Sequence, residues 1–181
     1  MIDGSFRLTA EPLPVVTFPG KVSGCLKDGN WRGHTDGLSR VPFLENEGKT
    51  ACVWLTFADI ESSGGATTLV PGSHHLIEKM AVDPEFRATK EKNNTYTAED
   101  NLDGLNWNPK EVTLKAGGVF FFNDQAIHSA SDNLLQQPRL ICAYGFTQKG
   151  NQEEELSARR TIHERFNSDH LEMMDDQMKQ L

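Results

Sequence analysis

The chain has 181 residues, of which 37% are hydrophobic and 24% charged, and its formal net charge is −8. This length suits one domain with a substantial core, and the composition is that of a turn-rich globular protein, not of a disordered chain. The acidic balance argues against a nucleic-acid partner, because nucleic-acid-binding surfaces need clustered Lys and Arg. The apolar runs are too short to cross a bilayer, so no membrane partner is expected.

The cysteines favour a reducing environment. Cys25, Cys52 and Cys142 are odd in number and widely spaced, which predicts neither a disulfide framework nor a cysteine zinc site. The N-terminus lacks the basic start and apolar stretch of a secretion signal. We therefore expect a soluble protein of the cytoplasm or another reducing intracellular compartment.

Short β-rich segments separated by Gly, Pro, Asn and Asp fill the first three quarters of the chain. Closely spaced strands of this kind predict an all-β core, from about residue 14 to residue 147, arranged as a sandwich or barrel. In segment 50–57 both alternating sets contain apolar residues, so this strand is expected to lie between two layers. The predicted strands are residues 15–18, 21–26, 50–57, 66–70, 111–114, 119–122 and 140–146.

Residues 71–109 are mostly polar, and an insertion of this length in a compact domain predicts a functional lid. Its aromatic residues Tyr96 and Trp107 are candidates for substrate contact, although single aromatic residues in loops often serve only as packing anchors. The tripeptide Asn93-Asn94-Thr95 matches a glycosylation acceptor, but we attribute the match to chance because no secretion signal precedes it.

From residue 153 to residue 181, apolar residues recur at spacings of three or four among charges, which predicts a helical tail. This tail is expected to pack against the β core or against a second subunit. Because no repeat or low-complexity linker interrupts the sequence, we expect one domain over residues 1–181.

The first candidate site residues are His34 and Asp36. Residues two apart on a strand point the same way, so an imidazole and a carboxylate from this short segment can face one metal ion. Alone the pattern is weak, because a surface histidine beside a turn-forming aspartate is a common arrangement.

A third ligand candidate, His128, follows a Gly-Gly turn and the apolar strand 119–122. By itself it also fits a buried histidine held by backbone hydrogen bonds. Two histidines and one carboxylate with open positions form the facial triad of Fe(II) oxygenases, although zinc accepts the same donors. The sequence therefore predicts a metal site at His34, Asp36 and His128 without fixing the metal.

Arg139 opens the apolar run 140–144, where a guanidinium needs an anionic partner. Its rigid fork suits a carboxylate in a dry pocket, such as the far carboxylate of 2-oxoglutarate. An ion pair with an Asp or Glu at the rim of the core fits Arg139 equally well.

Together these segments resemble the phytanoyl-CoA dioxygenase family of Fe(II)/2-oxoglutarate oxygenases. The resemblance runs from about Trp31 to Phe146, and its specificity lies in the order and spacing of four blocks. The blocks are Trp31 to Asp36; Val53-Trp54-Leu55-Thr56 with Gly64-Gly65-Ala66-Thr67; Pro71-Gly72-Ser73-His74; and Gly117 to His128 followed by Asn133 and Arg139.

The resemblance implies a double-stranded β-helix (a cupin-like jelly roll) with Fe(II) on His34, Asp36 and His128. It further implies that Arg139 grips the far carboxylate of 2-oxoglutarate and that Trp54 lines its pocket. The family often has a serine two places after the second histidine, where this chain has Ala130, so Ser129 or Ser131 is expected to substitute.

The implied activity is hydroxylation of a small-molecule substrate with 2-oxoglutarate and O2 as co-substrates and succinate and CO2 as products. In related halogenases a small residue replaces the metal-binding carboxylate, so Asp36 favours hydroxylation. Family members commonly carry more residues before this segment than the 33 found here. That predicts a minimal member, a longer native chain, or support from a partner such as a second copy.

Two other classes of function stay open on the sequence alone. One is a cupin-type metalloprotein that does not use 2-oxoglutarate, against which Arg139 and Trp54 argue. The other is a catalytically inactive binding module of the same fold, because fold resemblance alone does not establish activity.

Overall fold

The computed structural model describes residues 6–20, 26–27, 30–36, 50–100 and 102–148. The predicted helical tail, residues 153–181, and most of the predicted strand 21–26 lie outside these residues. The described elements are β1 (Phe6–Thr17), β2 (Leu26–Lys27), β3 (Asn30–Trp31), β4 (Thr50–Thr56), β5 (Thr67–Leu69), α1 (Ser73–Met80), α2 (Pro84–Lys92), a 3-10 turn (Ala98–Asp100), β6 (Lys110–Val112), β7 (Val119–Phe122), β8 (His128–Ala130) and β9 (Arg139–Gln148).

The larger sheet is antiparallel, with the strand order β1-β9-β4-β7. Strand β4 lies inside this sheet, where Trp54 pairs with Phe120 of β7 and with Ala143 of β9. On one face, Cys52 and Phe122 form a buried cluster with Ala126. We call this sheet the large sheet.

The second sheet, which we call the small sheet, has three antiparallel strands in the order β6-β5-β8. In the pairing of β5 with β8, Leu69 lies opposite His128 and Thr67 lies opposite Ala130. Because side chains alternate along a strand, Thr67 and Ala130 share the face of the small sheet that carries His128. A further short pair joins β2 to β3.

The mainly β architecture and most of the predicted strands are confirmed. Segments 50–57, 66–70, 111–114, 119–122 and 140–146 match β4, β5, β6, β7 and β9 to within two residues at each end. Strand β1 begins at Phe6, well before the predicted segment 15–18, and it includes residues 15–17 of that segment. Strand β1 contains Pro12 and Pro14, which are tolerated because β1 is an edge strand.

Segment 71–109 contains helices that the sequence analysis did not predict. Helix α2 begins with Pro84 after Asp83, whose side chain accepts a hydrogen bond from the Glu85 N–H at 2.9 Å. Such a cap satisfies a backbone donor that the first helical turn leaves open. Among the described residues, no helix is long and apolar enough to cross a membrane.

The same segment supplies part of the core. Tyr96 is fully buried in a cluster with Ile77 of α1 and with Ile127. Trp107 packs on this cluster, with its ring centroid 5.6 Å from that of Trp31 in an edge-on contact. Burial also raises the pKa of the Tyr96 phenol well above its usual value, in spite of the nearby Thr35 hydroxyl. The expectation that Tyr96 contacts substrate is therefore wrong: a wholly buried ring is a packing residue.

Candidate metal centre

Residues 34–36 form a strand-like ladder with the first residue of β8 and the residues before it. The His34 N–H donates to the His128 carbonyl, and the His128 N–H donates back to the His34 carbonyl, both at 2.9 Å. Two residues on, the Asp36 N–H donates to the Asp124 carbonyl at 2.9 Å. These bonds fix the backbone of both sequence-predicted ligand segments against each other.

The ladder brings the side chains of His34, Asp36 and His128 together. Nε2 of His34 lies 3.7 Å from Oδ1 of Asp36, and Nε2 of His128 lies 3.6 Å from Oδ2. One donor atom from each residue lies within 4.8 Å of the others, and this is the one such group among the described residues. Donors about 2.1 Å from one ion lie at most about 4.2 Å apart, so shifts below about 1 Å suffice to share an ion.

The three residues differ in exposure, which gives the site an inner and an outer side. The side chain of His128 is 2% exposed, that of Asp36 23% and that of His34 48%. An ion bound here would be fixed from within by His128 and would remain accessible beside His34. Such an open side is what separates a catalytic metal site from a closed structural one.

The His128 ring is held by the backbone that leads into its strand. Its Nδ1 lies 2.9 Å from the Ala126 carbonyl oxygen. A carbonyl only accepts, so the neutral ring carries its proton on Nδ1 and leaves the lone pair of Nε2 available to a metal ion shared with Asp36. Outer hydrogen bonds of this kind set the tautomer and orientation of metal-binding histidines.

Aromatic side chains of the large sheet surround His128. The rings of Trp54 and Phe122 make edge contacts with it, at centroid distances of 5.8 Å and 4.9 Å. His128 belongs to the small sheet, so these contacts place the candidate centre between the two sheets. Phe121 points the other way and is 55% exposed, as the predicted alternation requires.

A thiol also approaches the carboxylate. Sγ of Cys52, on β4, lies 3.6 Å from Oδ2 of Asp36, and Cys52 is 3% exposed. The sequence predicts for Cys52 only that it belongs neither to a disulfide framework nor to a cysteine zinc site. Cys52 is free of disulfides and buried, and it also helps to orient Asp36.

Arg139 lies at the start of β9 and is 4% exposed. Its Nη1 lies 3.4 Å from Oγ1 of Thr67, which is on the face of the small sheet that carries His128. The preceding turn is fixed by Asn133, whose amide donates to the carbonyls of Thr17 and Gln137. Thr17 in turn pairs with Arg139. The structure thus holds a buried guanidinium near the candidate centre.

Ser129 and Ser131 do not share the face of the small sheet that carries His128. Within β8, Ser129 alternates with His128 and Ala130, so its side chain points to the opposite side of the small sheet. Ser131 lies beside Glu111: burial opposes ionisation of that carboxyl, but hydrogen bonds from the Ser62 hydroxyl and the Ser63 N–H help to keep its pKa below the usual value. The structure does not bring Ser129 or Ser131 to the metal group; Thr67 lies on the required face instead.

Gly33 is required by a close approach of the chain. A Cβ at this position would lie 2.6 Å from Cγ2 of Ile127 and 2.6 Å from the Trp31 ring. We expect Gly33→Ala to lower the free energy of unfolding by about 1–3 kcal/mol, as overpacking does, and to displace His34 next to it. Urea unfolding and metal titration of the variant check this, and unchanged values in both would contradict it.

The chain was compared with protein-family models, with curated proteins and with solved structures. A family model described as Phytanoyl-CoA dioxygenase (PhyH) matches residues 31–141. The match includes all three residues of the metal group and Arg139. A search of curated proteins found no match.

Several solved structures share the fold at low sequence identity. EvdO2 from Micromonospora carbonacea var. aurantiaca, complexed with 2-oxoglutarate, is 15% identical with a TM-score of 0.54, over 86% of this chain and 58% of EvdO2. HygX from Streptomyces hygroscopicus, with nickel and 2-oxoglutarate bound, is 18% identical with a TM-score of 0.51, over 81% and 58%. The epimerase SnoN, in complex with Fe3+, alpha ketoglutarate and nogalamycin RO, is 20% identical with a TM-score of 0.51, over 79% and 50%. The chain therefore spans between half and three fifths of the length of these proteins.

Proposed function

Because the chain belongs to the phytanoyl-CoA dioxygenase family, we propose that it is an Fe(II)- and 2-oxoglutarate-dependent oxygenase that hydroxylates a small molecule. The observation that carries the proposal is the convergence of His34, Asp36 and His128 on one point. We also infer that the large and small sheets are the two layers of a double-stranded β-helix.

The donor set fits iron. Two imidazoles and one carboxylate with open positions are the facial triad of non-haem Fe(II) oxygenases. The Nδ1 contact to the Ala126 carbonyl leaves Nε2 of His128 available as a ligand. When bound, iron with 2-oxoglutarate and O2 supplies oxidative decarboxylation, which gives succinate and CO2 and transfers oxygen to the substrate. Solved proteins of the same fold contain 2-oxoglutarate with iron or nickel, which agrees with this assignment.

Arg139 is proposed to hold the far carboxylate of 2-oxoglutarate. Its contact residue Thr67 and His128 lie on one face of the small sheet, about one strand repeat, or about 7 Å, apart. A buried guanidinium binds a carboxylate through two parallel hydrogen bonds, which are stronger than neutral ones. Trp54, beside His128, is proposed to form the neighbouring wall. These residues would orient the co-substrate and exclude water around it.

Retention of Asp36 supports hydroxylation as the outcome, because the carboxylate occupies the position that a halide takes in related halogenases. Epimerisation is the second candidate, since the SnoN structure that shares the fold is an epimerase. An epimerised product has the oxidation state of its substrate, so this outcome also requires two electrons from an added reductant such as ascorbate. Both outcomes consume 2-oxoglutarate, so they are separated by the product and not by the co-substrate.

The proposal is tested by incubating the protein with Fe(II), 2-oxoglutarate, O2, ascorbate as the reductant and a panel of small molecules. Succinate and the mass of each candidate substrate are measured. We expect succinate in step with a product that is one oxygen atom heavier. Succinate with an isomerised product would favour epimerisation. Absence of succinate with every candidate would favour a cupin-type metalloprotein or an inactive binding module.

A further inference from the structure

Asn94, between helix α2 and the buried Tyr96, binds the residue that separates two of the metal-group side chains. Its Oδ1 accepts hydrogen bonds from the Thr35 N–H at 3.2 Å and from the Thr35 hydroxyl at 3.1 Å. Its Nδ2 donates to the Thr35 carbonyl. One side chain, 59 residues away in sequence, thus contacts each polar group of Thr35.

The position of Thr35 explains why these bonds matter. Thr35 is 1% exposed, so its N–H and carbonyl groups have no access to water and need partners in the protein. A carboxamide carries both N–H donors and an acceptor oxygen, as the backbone does, and therefore replaces a neighbouring strand at this residue. The side chain of Asn94 thus gives Thr35 the hydrogen bonds that His34 and Asp36 obtain from the backbone of other residues.

The bonds of residues 33–36 alternate between two edges. On one edge, His34 and Asp36 bond to the backbone of His128 and Asp124. On the other edge, Gly33 exchanges backbone hydrogen bonds with Tyr96 at 2.8 and 2.9 Å, and Thr35 bonds to Asn94. Residues 94 and 96 therefore complete the ladder on the side away from β8.

Asn94 is itself held in place by helix α2. The ammonium group of Lys90 donates to the Thr95 carbonyl at 2.8 Å and to the Asp100 carboxylate at 2.9 Å, and it lies 4.1 Å from the Tyr96 ring centroid. Lys90 is 8% exposed, so these contacts are shielded from solvent. A rigid link thus runs from α2 through residues 94–96 to Thr35.

We propose that Asn94 is a positioning residue for the metal ligands, and that it couples the order of residues 94–96 to metal binding. The inference rests on the proposed metal site. Asn94 does not touch the donor atoms; it holds Thr35, and through it the relative placement of His34 and Asp36. Because coupling is reciprocal, metal binding must in turn stabilise residues 94–96.

The test uses Co(II) as the probe and isothermal titration calorimetry as the measurement. Asn93 is an exposed neighbour of the same type, so Asn93→Ala is the matched control for Asn94→Ala. We expect Asn94→Ala to weaken Co(II) binding about 10- to 100-fold, as loss of outer contacts does at other metal sites. Asn93→Ala should stay within about twofold of the wild type on the same reasoning.

A second variant and a second readout cover the case in which Asn94→Ala does not fold. Asn94→Asp keeps an acceptor for the Thr35 N–H but turns a carboxylate oxygen towards the Thr35 carbonyl, so it should also weaken Co(II) binding. In the wild type, Co(II) should slow hydrogen exchange at the amides of Thr35 and Tyr96.

Each outcome is decisive. Wild-type Co(II) affinity in either folded Asn94 variant would overturn the positioning role. Unchanged exchange at Tyr96 on Co(II) binding would overturn the coupling. If the wild type itself binds no Co(II), the metal site of the proposed function fails and this inference fails with it.

Discussion

Substitution of Asp36 by alanine is expected to abolish 2-oxoglutarate-dependent turnover. The carboxylate is the only anionic member of the metal group, and its two oxygens lie 3.7 Å and 3.6 Å from Nε2 of His34 and of His128. Without it, two neutral imidazoles remain. We expect metal affinity to fall by at least about 100-fold, which corresponds to about 2.7 kcal/mol. Succinate release and Ni(II) titration measure the two effects.

The exposed Asp103 provides a control, since Asp103→Ala removes the same charge away from the site. The melting temperature of metal-free Asp36→Ala should stay close to that of the wild type, because Asp36 is partly exposed. Full turnover of Asp36→Ala would show that the ligand assignment is wrong.

Substitution of Arg139 is expected to act on the co-substrate far more than on the metal. Arg139→Met keeps much of the volume and removes the charge. A lost pair of charge-assisted hydrogen bonds costs about 2–3 kcal/mol, so the Kd for 2-oxoglutarate should rise about 30- to 150-fold. Metal affinity should change by no more than about threefold, because Arg139 is not a member of the metal group.

Arg139→Lys refines this experiment. Lysine keeps the positive charge but loses the planar fork, so its effect should be intermediate if bidentate binding matters. Calorimetric titration with 2-oxoglutarate, in the presence of Ni(II), measures both variants. Equal loss of metal and 2-oxoglutarate affinity in Arg139→Met would assign Arg139 to the structure of the core and not to the co-substrate.

The strands could be predicted well where local pattern and burial agree. Segment 119–122 coincides with β7 because its alternation places Phe122 inward and Phe121 outward. The metal group could be proposed from sequence because His34 and Asp36 are two residues apart and His128 follows segment 119–122, whose apolar pattern predicts a strand. Its geometry required the pairing of His34 with His128, which no local pattern encodes.

The helices in segment 71–109 show a different limit. Their sequences are short and polar, and they gain stability from packing against Val70 and Ile127 more than from intrinsic propensity. Part of the signal was nevertheless present, since Asp83 followed by Pro84 is typical of a helix start. The same packing buries Tyr96, which its position in the predicted lid makes a candidate for substrate contact.

Residues that act through long-range contacts were missed. The sequence shows Asn94 only as part of a tripeptide that matches a glycosylation acceptor. It gives no sign of the contact with Thr35, because the two residues are 59 positions apart. Cys52 showed only an apolar environment in sequence, and its approach to Asp36 depends on how β4 packs against the ligand segment. Ser129 and Ser131 were proposed from proximity to His128 in sequence, but strand alternation favours Thr67.

The most direct test of the proposed centre is an anaerobic titration of the protein with Fe(II) and 2-oxoglutarate, followed by visible absorption. The account predicts a charge-transfer band that requires both components, saturates near one iron per chain, and is lost in Asp36→Ala. A band in Asp36→Ala equal to that of the wild type, or no band in the wild type, would contradict an iron site on His34, Asp36 and His128 that binds 2-oxoglutarate.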